Sequence, residues 1–189
     1  MISEKKRKIF DAAAELFVEK GYGSASMRDL ADKVGLEPSS LYSHIKSKDE
    51  ILSNICTRAA DYFVAGITTI YNSEDDALSK LEQVLHLHLE AAYSSFSSVV
   101  VFNDEWKHLQ GEVLDDFLKK RKIYEQYLHK IIKQGISDKK IKKLNPKFIL
   151  YTFLSSINWI YHWYKPNKKI NKKALELEVK EMVLKGIGK

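Results

Sequence analysis

The sequence predicts an all-α protein, and three observations support this fold class. Glycine and proline are scarce, at 8 and 3 of 189 residues. Apolar residues recur along most of the chain with the 3.6-residue period of amphipathic helices, and no segment shows the strict alternation of a half-buried strand. The hydrophobic share of 44% and the charged share of 30% are typical of a folded chain rather than a disordered one.

Capping signals mark the first three helices. Residues 3–20 form an amphipathic helix that Gly21 ends. Ser26, with a carboxylate three residues later, begins a short second helix, and Gly35 permits the positive φ of a tight turn. Pro38 is tolerated in the first turn of a third, very short helix. Two short helices joined by a glycine turn, with a longer helix on each side, predict a helix-turn-helix.

The remaining helices follow from the same reasoning. Ser47 begins a second capping box and a long fourth helix that reaches about Tyr71. Asn145 and Pro146 are an N-cap and a first-turn proline. Five further helices are expected at about 75–95, 97–109, 112–135, 146–164 and 172–187.

Two domains are therefore expected. Residues 1–50 form a three-helix helix-turn-helix domain, and residues 51–189 form a helical bundle for ligand binding and dimerisation. The net charge of +6 is unevenly distributed, because the first fifty residues sum to zero, residues 51–118 to −8 and residues 119–189 to +14. Nucleic-acid binding by the first domain must depend on individually placed cations rather than on bulk charge.

The second short helix of a helix-turn-helix enters the major groove of DNA. Hydroxyl side chains contact base edges, tyrosine and histidine reach phosphates, and a cation at a helix N-terminus favours a nearby anion. The residues predicted to contact DNA are Ser26, Arg28, Glu37, Ser39, Ser40, Tyr42, His44, Lys46 and Lys48. Two alternatives stay open: Tyr42 packs between helices, and the serines and lysines are ordinary solvated surface.

Five runs in this region carry a family resemblance: Ile9–Phe17, Lys20–Tyr22, Ser26–Ala31, Val34–Gly35 and Ser40–Leu52. In order and spacing they resemble the N-terminal domain of TetR-family repressors. Ile45 stands where phenylalanine is commoner, a departure that affects packing. The resemblance implies a homodimer that binds double-stranded DNA and whose C-terminal domain binds an inducer, so that a small ligand releases the DNA.

Aromatic residues are abundant after residue 90, and most should be core while some line a ligand cavity. The run from Ser156 to Pro166 places two tryptophans four residues apart on one helix face. It resembles the TetR subgroup whose C-terminal domains sense acyl-CoA thioesters. The residues predicted to bind this effector are Phe102, Trp106, Asn158, Trp159, His162, Trp163 and Lys165. Lys165 stands where arginine is common, and lysine lacks the planar fork for a bidentate phosphate contact.

The basic final third suits the phosphates of coenzyme A, although solvated lysines explain the same charge. Dimerisation is expected through the last two helices, as a four-helix interface. The predicted interface residues are Phe153, Ile157, Ile160, Leu175, Val179, Met182 and Val183. A two-fold axis would set the two recognition helices about 34–36 Å apart, as a palindrome requires.

Other functional classes have less support. The sequence has no glycine-rich phosphate loop and no nucleophile motif, so no catalytic residue is predicted. His86 and His88 are two residues apart and point to different helix faces, so neither a metal nor a cofactor is expected. Two alternatives to the acyl-CoA sensor remain: a DNA-binding protein without a ligand, and a regulator of the same family that senses a hydrophobic drug or a free lipid.

The cellular compartment is expected to be the cytoplasm. Cys56 is the single cysteine, so no intramolecular disulfide can form and a small buried hydrophobe is the expected role. The charged N-terminus is followed by no long apolar run, which argues against a signal peptide and a membrane span.

Overall fold

The computed structural model describes residues 3–164 and 171–188. Within them, the predicted all-α fold is confirmed. The helices are α1 (Glu4–Lys20), α2 (Met27–Val34), α3 (Pro38–Tyr42), α4 (Lys48–Asn72), α5 (Ala77–Ser94), α6 (Phe96–Asp104), α7 (Gly111–Ser137), α8 (Pro146–Trp163) and α9 (Lys172–Ile187). A short 3-10 helix covers Trp106–His108.

The predicted caps define the ends of these helices. Gly21 ends α1 at a φ of 78°, and Gly35 ends α2 at a φ of 66°, so both adopt the positive φ that favours glycine. The Ser26 capping box is complete in both directions. Asn145 accepts a hydrogen bond from the backbone N–H of Lys147 at 2.9 Å, and a first-turn proline begins α8. Local sequence therefore determines where these helices begin and end.

One expected helix is divided. The segment expected to be helical over 97–109 ends as α6 at Asp104, and the 3-10 helix follows it. Leu109 is extended and Gly111 has a φ of 55°, so the chain turns before α7 begins. No glycine or proline lies at the break itself, which is why the sequence pattern did not indicate it.

The chain divides into two compact units. The first comprises Met1–Asp61 and Ser97–Leu118, and the second comprises Tyr62–Phe96 and Lys119–Lys189. The first unit is thus larger than residues 1–50, because a later segment completes its core. Cys56 is fully buried there, as expected, and burial raises the pKa of its thiol to about 12.

The second unit is organised around α5, which packs against α8 and α9. Ile141, after α7, and Gly188, after α9, form an isolated antiparallel bridge in this unit. In the described ranges, no helix has both the length and the apolar character needed to cross a bilayer.

Candidate nucleic-acid interface and regulatory unit

Helix α3 is held by a few buried apolar side chains and presents polar ones. Leu41 and Ile45 are fully buried in the core of the first unit. On the other side, Glu37 and Ser39 are exposed, and Tyr42 is 53% exposed. An exposed tyrosine does not pack between helices, so the structure removes that alternative for Tyr42. The arrangement leaves one polar face of α3 available to a partner.

The start of α2 combines a cap with an exposed cation. The Ser26 hydroxyl accepts from the backbone N–H of Asp29 at 3.1 Å and donates to the Asp29 carboxylate at 2.7 Å. Lys20 lies 2.7 Å from the same carboxylate, and these partners hold the pKa of Asp29 well below its usual range. Arg28 is exposed in the first helical turn. Ser26 therefore has a structural role, and Arg28 is placed for contact with an anion.

Lys48 binds the turn between α1 and α2. Its Nζ donates to the carbonyl oxygens of Tyr22 at 2.7 Å and Ala25 at 2.9 Å, and lies 4.4 Å from the centre of the Tyr22 ring. The Tyr22 hydroxyl donates to Asp49, and burial together with that carboxylate raises the pKa of Tyr22. Nζ also lies 3.4 Å from the carbonyl oxygen of Gly23, so a phosphate bound by Lys48 would share the ammonium with three carbonyls.

Glu50 connects the turn before α4 to α1. Its carboxylate accepts from the backbone N–H of Lys46 at 2.7 Å and from Nζ of Lys6 at 2.7 Å. The Lys6 contact lowers the pKa of Glu50. The Lys46 side chain is exposed, the half-buried His44 lies between α3 and Lys46, and the half-buried Ser40 lies within α3. The DNA contacts of all nine residues remain predictions.

A contact that the sequence did not indicate reaches the same turn. The Glu105 carboxylate accepts from the backbone N–H of Tyr22 at 3.1 Å, and the His108 ring lies 5.1 Å from the Tyr22 ring. Both residues follow α6, more than eighty positions later in the chain. Such a long-range pair has no local sequence signal.

Two residues predicted to bind the effector lie in the core region of the first unit. Trp106 stacks on Phe117 at 5.5 Å between ring centres, and Phe102 lies 5.5 Å from the same ring. Both are half-buried against the apolar cluster of this unit. Their positions account for them as packing residues, and effector contact stays a prediction.

The predicted dimer residues require a correction. Phe153, Ile157 and Ile160 of α8 are at most 1% exposed, and Leu175 and Val179 of α9 are also buried. These side chains pack inside their own protomer, so they are not available to a second copy. Of the predicted set, Met182 is 78% exposed and Val183 is half-buried.

The opposite face of α8 is exposed and aromatic. Trp159 and Trp163, which were predicted to bind the effector, are 42% and 44% exposed and lie 5.5 Å apart edge to face. Asn158 and His162 are exposed beside them. Lys165, the last residue of the predicted set, lies outside the described residues.

A buried polar cluster occupies the core of the second unit. His88 is 7% exposed, and its Nδ1 and Nε2 are hydrogen-bonded to the hydroxyls of Tyr161 and Tyr124, the latter at 2.7 Å. Phe63 stacks on the imidazole at 4.7 Å. Burial lowers the pKa of His88 to about 3 and raises the pKa values of both tyrosines, so all three are neutral at pH 7.

Comparison with known proteins agrees with this architecture. Residues 9–55 match the family model of bacterial regulatory proteins, tetR family. Residues 74–187, more than half of the chain, match the model of the tetracyclin repressor-like C-terminal domain.

The relatives are similar over more than nine tenths of their length. The HTH-type transcriptional repressor KstR2 of Mycolicibacterium smegmatis is 25% identical, over 98% of this chain and 91% of that protein. The structure of the ketosteroid transcriptional regulator KstR2 of Mycobacterium tuberculosis superposes with a TM-score of 0.92 at 22% identity, covering 100% of this chain and 97% of that one. AibR in complex with isovaleryl coenzyme A and operator DNA gives a TM-score of 0.82 at 23% identity, covering 96% and 98%. These proteins are regulators rather than enzymes, and the chain belongs to the TetR family of bacterial regulatory proteins.

Proposed function

We propose that this protein is a cytoplasmic transcriptional repressor that binds a palindromic operator as a homodimer and is released by a small effector, an acyl-CoA thioester. The observation that carries the DNA-binding part is the exposed polar face of α3 on a buried Leu41–Ile45 anchor. The name of the KstR2 relative supports repression, and family membership supports dimeric operator binding.

The acyl-CoA effector has two supports. The run from Ser156 to Pro166 resembles the acyl-CoA-sensing subgroup. The AibR structure, which shares the fold, was determined with isovaleryl coenzyme A. In this proposal the residues after about 50 bind the effector and a second protomer, while the first fifty bind DNA.

Arg28 and Tyr42 test the DNA interface. Because Arg28 is placed for a phosphate, Arg28→Ala should lower the slope of log K against log salt by about 1. Tyr42→Ala should weaken binding about tenfold, since one lost contact costs roughly 1–2 kcal/mol. Binding is measured by fluorescence anisotropy on a duplex selected by the protein from a random library. Lys119→Ala, an exposed cation outside α1–α4, is the control.

The assigned interface is wrong if both variants bind the selected duplex like the parent at every salt concentration. Equal melting temperatures for parent and variants would exclude unfolding as the cause of any loss.

The effector class is tested by ligand-dependent stability. Isovaleryl-, octanoyl- and benzoyl-CoA are added to the full-length protein, and a ligand at 100 times its dissociation constant should stabilise it by about 2.7 kcal/mol, which is several degrees in melting temperature. The binding ligand should also release the selected duplex. Stabilisation by free acids or cationic dyes, with none by any CoA ester, would contradict the acyl-CoA effector.

A further inference from the structure

The buried His88–Tyr124–Tyr161 cluster has one more donor hydrogen than it has hydrogen bonds. A neutral imidazole carries one N–H, and each tyrosine carries one O–H, so the cluster holds three donor hydrogens. It forms two hydrogen bonds, one at each imidazole nitrogen. Whichever tyrosine accepts the imidazole N–H keeps its own O–H without an acceptor in the cluster.

No other group supplies that acceptor in the described residues. Among residues 3–164 and 171–188, His88 is the hydrogen-bond partner of both hydroxyls. Tyr161 is 1% exposed and Tyr124 is 8% exposed, so solvent does not freely reach either group. A buried donor that lacks an acceptor is unfavourable by roughly 1–3 kcal/mol. Such a group favours any ligand that brings an acceptor atom to it.

The surroundings select the chemistry of that acceptor. Phe63 stacks on the imidazole and lies edge-on to Tyr124 at 6.3 Å, so an aromatic ring flanks the polar groups. The three polar groups are neutral and supply no cation. A carboxylate would lose its hydration here without a counter-charge, whereas a neutral carbonyl oxygen accepts the hydrogen bond at a much lower desolvation cost.

We propose that the His88–Tyr124–Tyr161 cluster is the anchor for a neutral carbonyl oxygen of the effector, the thioester carbonyl in an acyl-CoA. The inference rests on the proposed effector class and adds the atoms that recognise it. The tautomer of His88 decides which tyrosine donates: Tyr161 when the proton is on Nδ1, and Tyr124 when it is on Nε2. The site then distinguishes a thioester both from a free acid and from a molecule of the same shape without a carbonyl.

The test compares a thioester with its thioether. The best binder among isovaleryl-, octanoyl- and benzoyl-CoA is paired with the S-alkyl-CoA in which a methylene replaces the carbonyl, and both are titrated calorimetrically into the full-length protein. The parent should bind the thioester about tenfold more tightly, as one hydrogen bond to a buried donor provides. The single variants Tyr124→Phe and Tyr161→Phe should differ in this ratio, and the double variant should bind both ligands equally.

Tyr93→Phe is the matched control, because within residues 3–164 and 171–188 the Tyr93 hydroxyl makes one long hydrogen bond, of 3.4 Å, to the carbonyl of Lys172. It should keep the tenfold ratio. Equal binding of thioester and thioether by the parent overturns the carbonyl anchor and leaves the acyl-CoA effector standing. A double variant that retains the ratio also overturns the anchor. If no CoA compound binds, the effector class and the anchor are both overturned.

Discussion

Lys48 lies in the first turn of α4, where a cation is unfavourable beside the positive end of the helix dipole. The structure compensates with the carbonyls of Tyr22 and Ala25, which present partial negative charge to its ammonium. A lysine at this position does not require a phosphate. Its bonds to the α1–α2 turn hold the start of α2, so Lys48 positions the helix-turn-helix whether or not it touches DNA.

His88 should make stability depend on pH. Its pKa is about 3 in the folded protein and about 6.5 when unfolded, so its contribution is complete above pH 6.5 and is lost as the pH falls from there toward 3. Between pH 7.5 and 5.5 the free energy of unfolding should fall by about 1.4 kcal/mol through this residue. His88→Gln, which keeps hydrogen-bonding atoms but does not titrate, should remove that decrease.

Urea unfolding of parent and variant at the two pH values measures this effect. His129→Gln, on α7, is the control and should retain the pH dependence of the parent. A decrease of the same size in His88→Gln would show that the buried imidazole is not its source.

At the scale of the elements, helix boundaries were predictable because their signals are local. Ser26 and Asn145 act through backbone groups two or three residues away, so the sequence alone indicates them. The end of α6 and the Glu105–Tyr22 contact depend on residues far apart in the chain. The two faces of α8 show a second reason why a prediction from sequence was wrong, here that of the dimer interface. Both faces carry apolar side chains, and periodicity cannot tell which one packs inside the protomer.

The contact between α7 and α5 depends on a glycine. A Cβ built on Gly135 would lie 2.8 Å from the Cβ of Ala77 and 2.5 Å from Cδ1 of Ile141. Gly135→Ala should therefore lower the free energy of unfolding by about 1–2 kcal/mol, since overpacking exceeds the gain in helix propensity. Gly186→Ala, with nothing within 4 Å of its Cβ, should leave stability unchanged or raise it by up to about 1 kcal/mol.

Urea unfolding again distinguishes these outcomes. If Gly135→Ala is as stable as Gly186→Ala, the residues around position 135 can move apart without lowering the free energy of unfolding. The close-packing argument would then be wrong.

At the scale of the whole molecule, we expect the neutral helix-turn-helix domain to need a second copy for tight operator binding. Residues 1–50 carry nine Lys or Arg and nine Asp or Glu, so the carboxylates offset the long-range attraction of one domain to phosphates. In the proposed dimer, two such domains would bind two half-sites, and the second contact would become intramolecular with a large gain in avidity. Operator affinity should therefore depend strongly on the dimer interface.

The exposed aromatic face of α8 is the best candidate for that interface, replacing the residues buried in the protomer. Phe148 is 71% exposed and Tyr151 50%, and together with Trp159 and Trp163 they form an apolar surface of the kind that oligomers bury. Trp159→Asp would place a charge in this surface, and we expect it to convert the dimer to monomers in sedimentation velocity at about 10 μM, since an unpaired charge buried there costs several kcal/mol.

The same variant should bind a full palindrome no more tightly than a single half-site, because avidity is lost while each helix-turn-helix domain remains folded. Circular dichroism checks that the helical content is retained. Val18→Asp, which charges an exposed apolar position of α1, should still sediment as the parent dimer. A Trp159→Asp protein that remains dimeric would place the interface elsewhere. A monomer that keeps full affinity for the palindrome would show that a neutral helix-turn-helix domain binds its operator without a second copy.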